Sequence, residues 1–356
     1  MDNSEYELSV MQRIPWKRVR RVLVVKLRSI GDTVLSTPSL IALKRFLPAA
    51  EIDILLEDWV APVLDGFAGV NVIAVGAGVG DRMRAAMELR RRRYDVAFNL
   101  HGGTTATFFT RASGAKHRIG YANYRYSFLY DLLLTSAADF WDAAEVHSAE
   151  QQLALLGYAG VPVDDRPKTR LAVTESSKRA IDEKLESRIF DSSNLALLHP
   201  AAAFATKQWA AENFALVAEF LENKGFQIVA VAAKHEGNVL DELKARSRVP
   251  ITEFNDLTLP EITALAAKSR LFVGNDSGIA HIAAAVNTPS VVIFGSSNRN
   301  HWRPWTDAPN EIVFEEFPCQ PCAGYECKVF GEPKCILSVK VESVRDAIDR
   351  VLKTIP

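Results

Sequence analysis

The sequence predicts an α/β protein made of two doubly wound, parallel-sheet halves of similar size. Three observations lead there. Short β-branched runs recur along the 356 residues and alternate with helical stretches, the pattern of βαβ units. The series breaks at residues 160–170, GVPVDDRPKTR, where prolines, a glycine and charges read as a linker before a second series begins. Polar residues collect at the strand-to-helix junctions, where ligands of such sheets bind.

Composition sets the frame. Hydrophobic residues make up 48% and charged residues 24% of the chain, ordinary values for a globular protein. At roughly 100–200 residues per domain, the length predicts two domains. A formal net charge of −1 argues against nucleic-acid binding through a globally basic surface. No apolar run reaches the roughly 18 residues of a membrane span. The N-terminal stretch is acidic first and basic later, without the apolar core of a signal peptide. All four cysteines fall between Cys319 and Cys335, which is not a secreted disulfide framework. The expected compartment is the cytoplasm.

The first half opens with RVLVVKL, residues 21–27, a continuous β-branched run typical of a strand buried on both faces. A polar turn, RSIGD, leads into a helix over about residues 33–46. Further strands are EIDILLE (51–57), NVIAV (71–75) and YDVAFNL (94–100). Between the last two, DRMRAAMELRRRR reads as a helix whose cationic end suits the helix dipole. The preceding VGAGVGD is G-x-G-x-G rather than a dinucleotide fingerprint and reads as a loop. Strands of the second half are NLALLHP (194–200), FQIVAVAA (226–233), RLFVGN (270–275) and SVVIFG (290–295). Helices are predicted near 212–224, 236–245, 259–268 and 278–286, with a last one near 341–352.

Four junctions carry candidate chemistry. In SIGDTVLSTPSL, Gly31 allows a tight turn and close ligand approach, and Asp32 offers a lone carboxylate. Aspartate before a helix is also a preferred N-cap, and the two roles can coexist. In HPAAAFATKQW, Thr206 and Lys207 can offer a hydroxyl and an ammonium to a phosphate; a surface lysine is the plain alternative. Glu236, just after a strand, can accept hydrogen bonds from a ribose or complement a helix dipole. The fourth junction, GNDSGIAHIAAAVNTPSVVIFG, turns through Asp276, Ser277 and Gly278 into an alanine-rich helix. Its free N–H groups form an anion site, and His281 lies within the first turn. No D-x-D occurs, so a diphosphate is expected to be neutralised by Lys207 and the helix start.

These three motifs, SIGDTVLSTPSL, HPAAAFATKQW and GNDSGIAHIAAAVNTPSVVIFG, resemble in order and spacing the ADP-heptose:lipopolysaccharide heptosyltransferases of glycosyltransferase family 9. The resemblance runs from about residue 20 to the final helix and includes RASGAKHRIGY, similar to an acceptor-side segment of the family. It implies a GT-B fold, two Rossmann-like doubly wound domains facing across a cleft. Residues 1–165 would bind the acceptor and 166–340 the nucleotide sugar, with 341–356 returning to the first domain. The implied reaction transfers heptose from ADP-heptose, with inversion, to the inner core of lipopolysaccharide. By resemblance, Asp32 is the general base, and Gly31, Arg28 and Arg118 lie on the acceptor side. Thr206, Lys207, Glu236, Asp276, Ser277, Gly278 and His281 are implied to hold the donor. The AAAF after His-Pro departs from a glycine that many relatives carry there. Alternatives are a related transferase with another nucleotide sugar or a protein acceptor, and a non-catalytic nucleotide-sugar binder.

Basic residues Lys17, Arg18, Arg20, Arg21, Lys26 and Arg28, with Arg82, Arg84 and Arg90–Arg93, could each contribute up to about 1 kcal/mol near an anionic surface. This suits a peripheral enzyme of the inner membrane's cytoplasmic face; a solvated helix face is the alternative for Arg90–Arg93. Catalysis needs no cofactor on this reading. Cys319, Cys322, Cys327 and Cys335 have the ligand count of a structural Zn or Fe site, with reduced thiols or a disulfide as alternatives.

Overall fold

A computed structural model describes residues 14–188, 193–322 and 325–355. Residues 1–13, which include the acidic N-terminal stretch, lie outside the described residues. The chain divides into two compact units, residues 1–169 and 170–356.

The first unit carries six strands: β1 (Arg21–Leu27), β2 (Glu51–Glu57), β3 (Asn71–Val75), β4 (Val96–Asn99), β5 (His117–Tyr121) and β6 (Leu132–Leu134). They form one parallel sheet in the order β3-β2-β1-β4-β5-β6. The order reverses between β1 and β4, the switch point where such sheets bind ligands. Every residue of β1 after Arg21 is buried, as its β-branched run requires of a central strand. Its main helices are α1 (Ile30–Val34), α2 (Thr37–Phe46), α3 (Val79–Arg92), α4 (Gly103–Ala112) and α5 (Ser148–Tyr158).

Two local expectations change here. The helix expected over 33–46 is two, because Pro38 lies in the first turn of α2, where its missing N–H is harmless, whereas inside one long helix it would break the ladder. The VGAGVGD segment is not a loop throughout: α3 starts at Val79, with Gly78 at its cap.

The second unit holds α6 (Glu175–Glu186), β7 (Leu195–His199), α7 (Ala211–Glu222), β8 (Gln227–Val231), α8 (Gly237–Arg246) and β9 (Ile251–Phe254). There follow α9 (Leu259–Lys268), β10 (Leu271–Asn275), α10 (Gly278–Ala285), β11 (Ser290–Phe294), β12 (Asn310–Phe314) and α11 (Val341–Thr354). This parallel sheet runs β12-β11-β10-β7-β8-β9. Counted from its own first strand, that is the same wiring as the first sheet. Two doubly wound parallel sheets are thus present, as expected.

The last helix packs within the second unit. Val341, Val344, Ala347, Ile348 and Val351 of α11 are buried in the second unit's own core, with α7, β11 and β12 as packing partners. Burial of each valine or isoleucine side chain is worth about 1.5–3 kcal/mol, so the apolar stripe ties this helix into the second unit's core. Trp209 anchors the approach to this helix: its indole N–H donates to the Val339 carbonyl at 2.9 Å.

Candidate active site

At the carboxyl end of β1 the backbone departs from the sheet. Pairing with β2 runs in register to Val25, then slips before Leu27. Leu27 takes φ +56°, a left-handed conformation that costs a non-glycine residue about 1–3 kcal/mol and tends to accompany functional turns. The sharp turn therefore falls on Leu27, not on Gly31, which is buried inside α1.

The turn delivers Asp32 to Lys26. The Lys26 ammonium, on a residue only 4% exposed, donates to Asp32 Oδ1 at 2.9 Å and to the Leu100 carbonyl at 3.2 Å. The Ser29 hydroxyl donates to Asp32 Oδ2 at 3.1 Å. Asp32 is the third residue of α1, and the cap position belongs to Ser29. The N-cap alternative for Asp32 is thereby corrected. Burial alone would raise the Asp32 carboxyl, but the Lys26 charge and hydrogen bond, the Ser29 hydroxyl and His101 hold it below its ordinary value of 3.8. It is a carboxylate at neutral pH, with 30% of its side chain open to solvent.

His101 follows β4 and is half-buried. Burial and the Lys26 charge push its imidazole down, with Asp32 opposing. The Asn99 side chain shapes this loop by accepting from the His101 and Gly102 N–H groups at 3.0 and 2.9 Å. Lys26 and His101 were not read as site residues from sequence. The signal for Lys26 was available: a lysine inside a wholly buried strand needs a partner.

The remaining acceptor-side residues separate. Arg28 is exposed at the turn. Arg118 is paired: its Nε and Nη2 donate to the two Asp131 oxygens at 2.9 Å each. This bidentate clamp ties β5 to the start of β6.

In the second unit, Lys207 and the turn after β10 meet. The Lys207 ammonium donates to Asp276 Oδ2 at 2.8 Å, and the Ser297 hydroxyl donates to the same oxygen. Asn275 braces the loop, giving its amide to the Pro200 carbonyl at 2.8 Å and accepting from the Trp209 N–H at 3.1 Å. Ser277 caps α10, its hydroxyl oxygen facing the Ala280 N–H. Gly278 opens that helix, and His281 is buried in its first turn.

Two donor-side residues have partners of their own within the loops. Thr206 is 2% exposed; its hydroxyl accepts from Ser296 Oγ at 3.0 Å and its carbonyl from the Ser296 N–H at 3.2 Å. It joins two loops. Glu236 accepts from the Ala233 N–H at 3.0 Å, so the helix-terminus role is realised, with its carboxylate half-buried beside the next turn.

The cysteine segment is wired to the same loops. Cys322 N–H donates to the Ser296 carbonyl at 2.9 Å, and the Gln320 amide to the Gly295 carbonyl at 2.6 Å. A Cβ on Gly295 would sit 2.2 Å from the Thr206 carbonyl oxygen and 2.9 Å from Ile336 Cβ, so only glycine admits this packing. All four cysteines are free thiols. Burial pushes the Cys335 thiol up, and the other three thiols add to that. Among the described residues no three His, Cys, Asp or Glu side chains are grouped to hold a metal ion. The donor chemistry of four thiols suits a soft metal.

The model of glycosyltransferase family 9 (heptosyltransferase) matches residues 82–331. The chain belongs to glycosyltransferase family 9. It is 28% identical over 294 residues to lipopolysaccharide heptosyltransferase 3 of Escherichia coli K12, covering 79% of this chain and 84% of that protein. The fold of Escherichia coli ADP-heptose lipopolysaccharide heptosyltransferase II superposes with a TM-score of 0.77 at 22% identity, over 94% and 98% of the two chains. TibC of enterotoxigenic Escherichia coli, an iron-containing dodecameric glycosyltransferase, shares the fold with a TM-score of 0.61 at 13% identity, over 95% and 77%. The family 9 chain is thus a glycosyltransferase of GT-B architecture. Among the described residues no helix is long and apolar enough to cross a membrane.

Proposed function

We propose that this family 9 enzyme transfers heptose from ADP-heptose to the inner core of lipopolysaccharide, with inversion at the anomeric carbon. One observation carries the reading: an ionised carboxylate, Asp32, held at the switch point of the first sheet by the buried ammonium of Lys26. Inversion by single displacement needs one base. Asp32 accepts the proton of the acceptor hydroxyl as its oxygen bonds to the anomeric carbon and the bond from that carbon to the diphosphate oxygen breaks. Family membership and the named relatives support the donor and acceptor classes.

Negative charge accumulates on the departing ADP. Lys207 commits one of its three N–H donors to Asp276, leaving two for phosphate oxygens. The N-terminal N–H groups of α10 add a preorganised positive end. Gly278 lets the diphosphate approach, and Ser277, His281 and Glu236 border the same ends of the second sheet. Thr206 and Asp276 act by positioning. On the acceptor side, Arg28 remains exposed to meet an acidic sugar. Peripheral work at the cytoplasmic face of the inner membrane follows from a lipid acceptor. A structural Zn or Fe at Cys319, Cys322, Cys327 and Cys335 is supported by the donor set alone, and metal analysis of the purified protein, with and without Cys319→Ser, decides it.

The test is direct. The protein is incubated with ADP-heptose and Kdo-lipid A or a heptosylated core glycolipid, and products are weighed by mass spectrometry. A gain of one heptose is expected. Tight ADP-heptose binding with no product on any core acceptor would instead favour a binder or a different acceptor.

A further inference from the structure

We propose that an open cavity on the first unit seats an acyl chain of an anionic membrane lipid. The inference rests on the lipid-acceptor reading above and names the surface that meets the membrane. The cavity has a volume of about 430 Å³ and lies between α3, α4 and the turn Ser127–Leu129, within the roughly 300–1,000 Å³ of small-ligand sites. Its α4 wall is one helix face, Thr104, Phe108 and Arg111, spaced as helical neighbours. Tyr126 and Leu129 close the other side, and Arg90 reaches in from α3.

Three features select an amphiphile. The interior is apolar, and the one buried hydroxyl there is already used: Thr107 donates to the Gly103 carbonyl at 2.9 Å and also meets the Tyr130 hydroxyl. A free sugar or nucleotide would find few partners. The rim is aromatic and unusually open, with Phe108 45%, Tyr126 43% and Phe128 78% exposed. Exposed apolar clusters mark interaction surfaces, and aromatic rings favour the membrane interface. The mouth is cationic. Arg90 and Arg111 have no acidic partner among the described residues, whereas Arg84 and Arg92 on the same α3 are paired with Asp81 and with Glu88 and Asp53. Unpaired guanidinium groups beside an apolar slot match a phosphate headgroup followed by a hydrocarbon tail. Helix α4 starts two residues after His101, so this wall continues from the neighbourhood of Asp32.

The test is sedimentation of the full chain with vesicles of phosphatidylcholine, alone or mixed with phosphatidylglycerol. Binding is expected only with the anionic lipid. The Arg90→Gln/Arg111→Gln variant should bind about 30-fold more weakly, from roughly 1 kcal/mol lost per arginine at an anionic surface. Ala112→Phe, which fills the slot while leaving both arginines, should also lose binding. Both variants should bind ADP-heptose like wild type and turn over a vesicle-embedded acceptor more slowly. Vesicle binding by Ala112→Phe equal to wild type would overturn the acyl site, as would competition by inorganic phosphate as effective as by lipid. No product from wild type on that acceptor would defeat the transferase reading while leaving the vesicle result to stand by itself.

Discussion

Replacing Lys26 with methionine isolates what holds Asp32 ready. Methionine keeps most of the buried stem and removes the charge 2.9 Å from Asp32 Oδ1. An opposite charge at that distance favours the ionised carboxylate and holds the carboxyl down. Without it, burial dominates and the Asp32 carboxyl rises, with only Ser29 and His101 opposing. The acid limb of the pH profile of kcat/KM, which reports the free enzyme's base, should therefore move to higher pH. Stability should fall too. In wild type the depressed Asp32 contributes stability that is present above the unfolded carboxyl's value and is lost as pH falls through the folded one. The Lys26→Met deficit should accordingly be full at neutral pH and fade in acid. Its size should lie below the roughly 3–5 kcal/mol of breaking a fully buried pair, because 30% of the Asp32 side chain reaches solvent. An acid limb that stays in place in a folded Lys26→Met protein would refute the pairing argument.

Other predictions follow from neighbouring contacts. Lys207→Met should weaken ADP binding about 10- to 100-fold by calorimetry, the worth of roughly 1.5–3 kcal/mol for a charged hydrogen bond. Gly295→Ala should drive a methyl against the Thr206 carbonyl and Ile336, costing about 1–3 kcal/mol and lowering the melting temperature with donor affinity. His199 is buried, its Nδ1 2.9 Å from the Val231 carbonyl, and burial holds its imidazole below the ordinary value of 6.5. Its stabilising contribution is present above that value and is lost as pH falls toward the folded one. Wild type should therefore melt at lower temperature as pH drops from 7 to 5, with a flatter slope in His199→Asn.

Much of this architecture was legible because central strands announce themselves. RVLVVKL and EIDILLE coincide with β1 and β2, since buried strands demand mostly apolar runs; NVIAV coincides with the edge strand β3, only two of whose residues are buried. The strands not read from sequence are β5, β6, β9 and β12. β6 spans three residues and β9 has one buried residue of four, too little pattern to stand out. The sequence also pointed to Asp32, Lys207 and the turn at Asp276–Gly278, which the structure places just after β1, β7 and β10. It did not reveal that Arg118 is spent on Asp131, or that Thr206 faces inward, because both depend on which side chain lies across a strand or loop. Lys26 was counted as surface charge although its strand position already required a buried partner.

The most direct trial of the account is a single-turnover measurement on Asp32→Asn with ADP-heptose and core glycolipid, alongside ADP affinity. Transfer should fall about 10²–10⁴-fold, the loss of a general base, while ADP binds as in wild type. Transfer at the wild-type rate in that variant would contradict the assignment of Asp32 as the base.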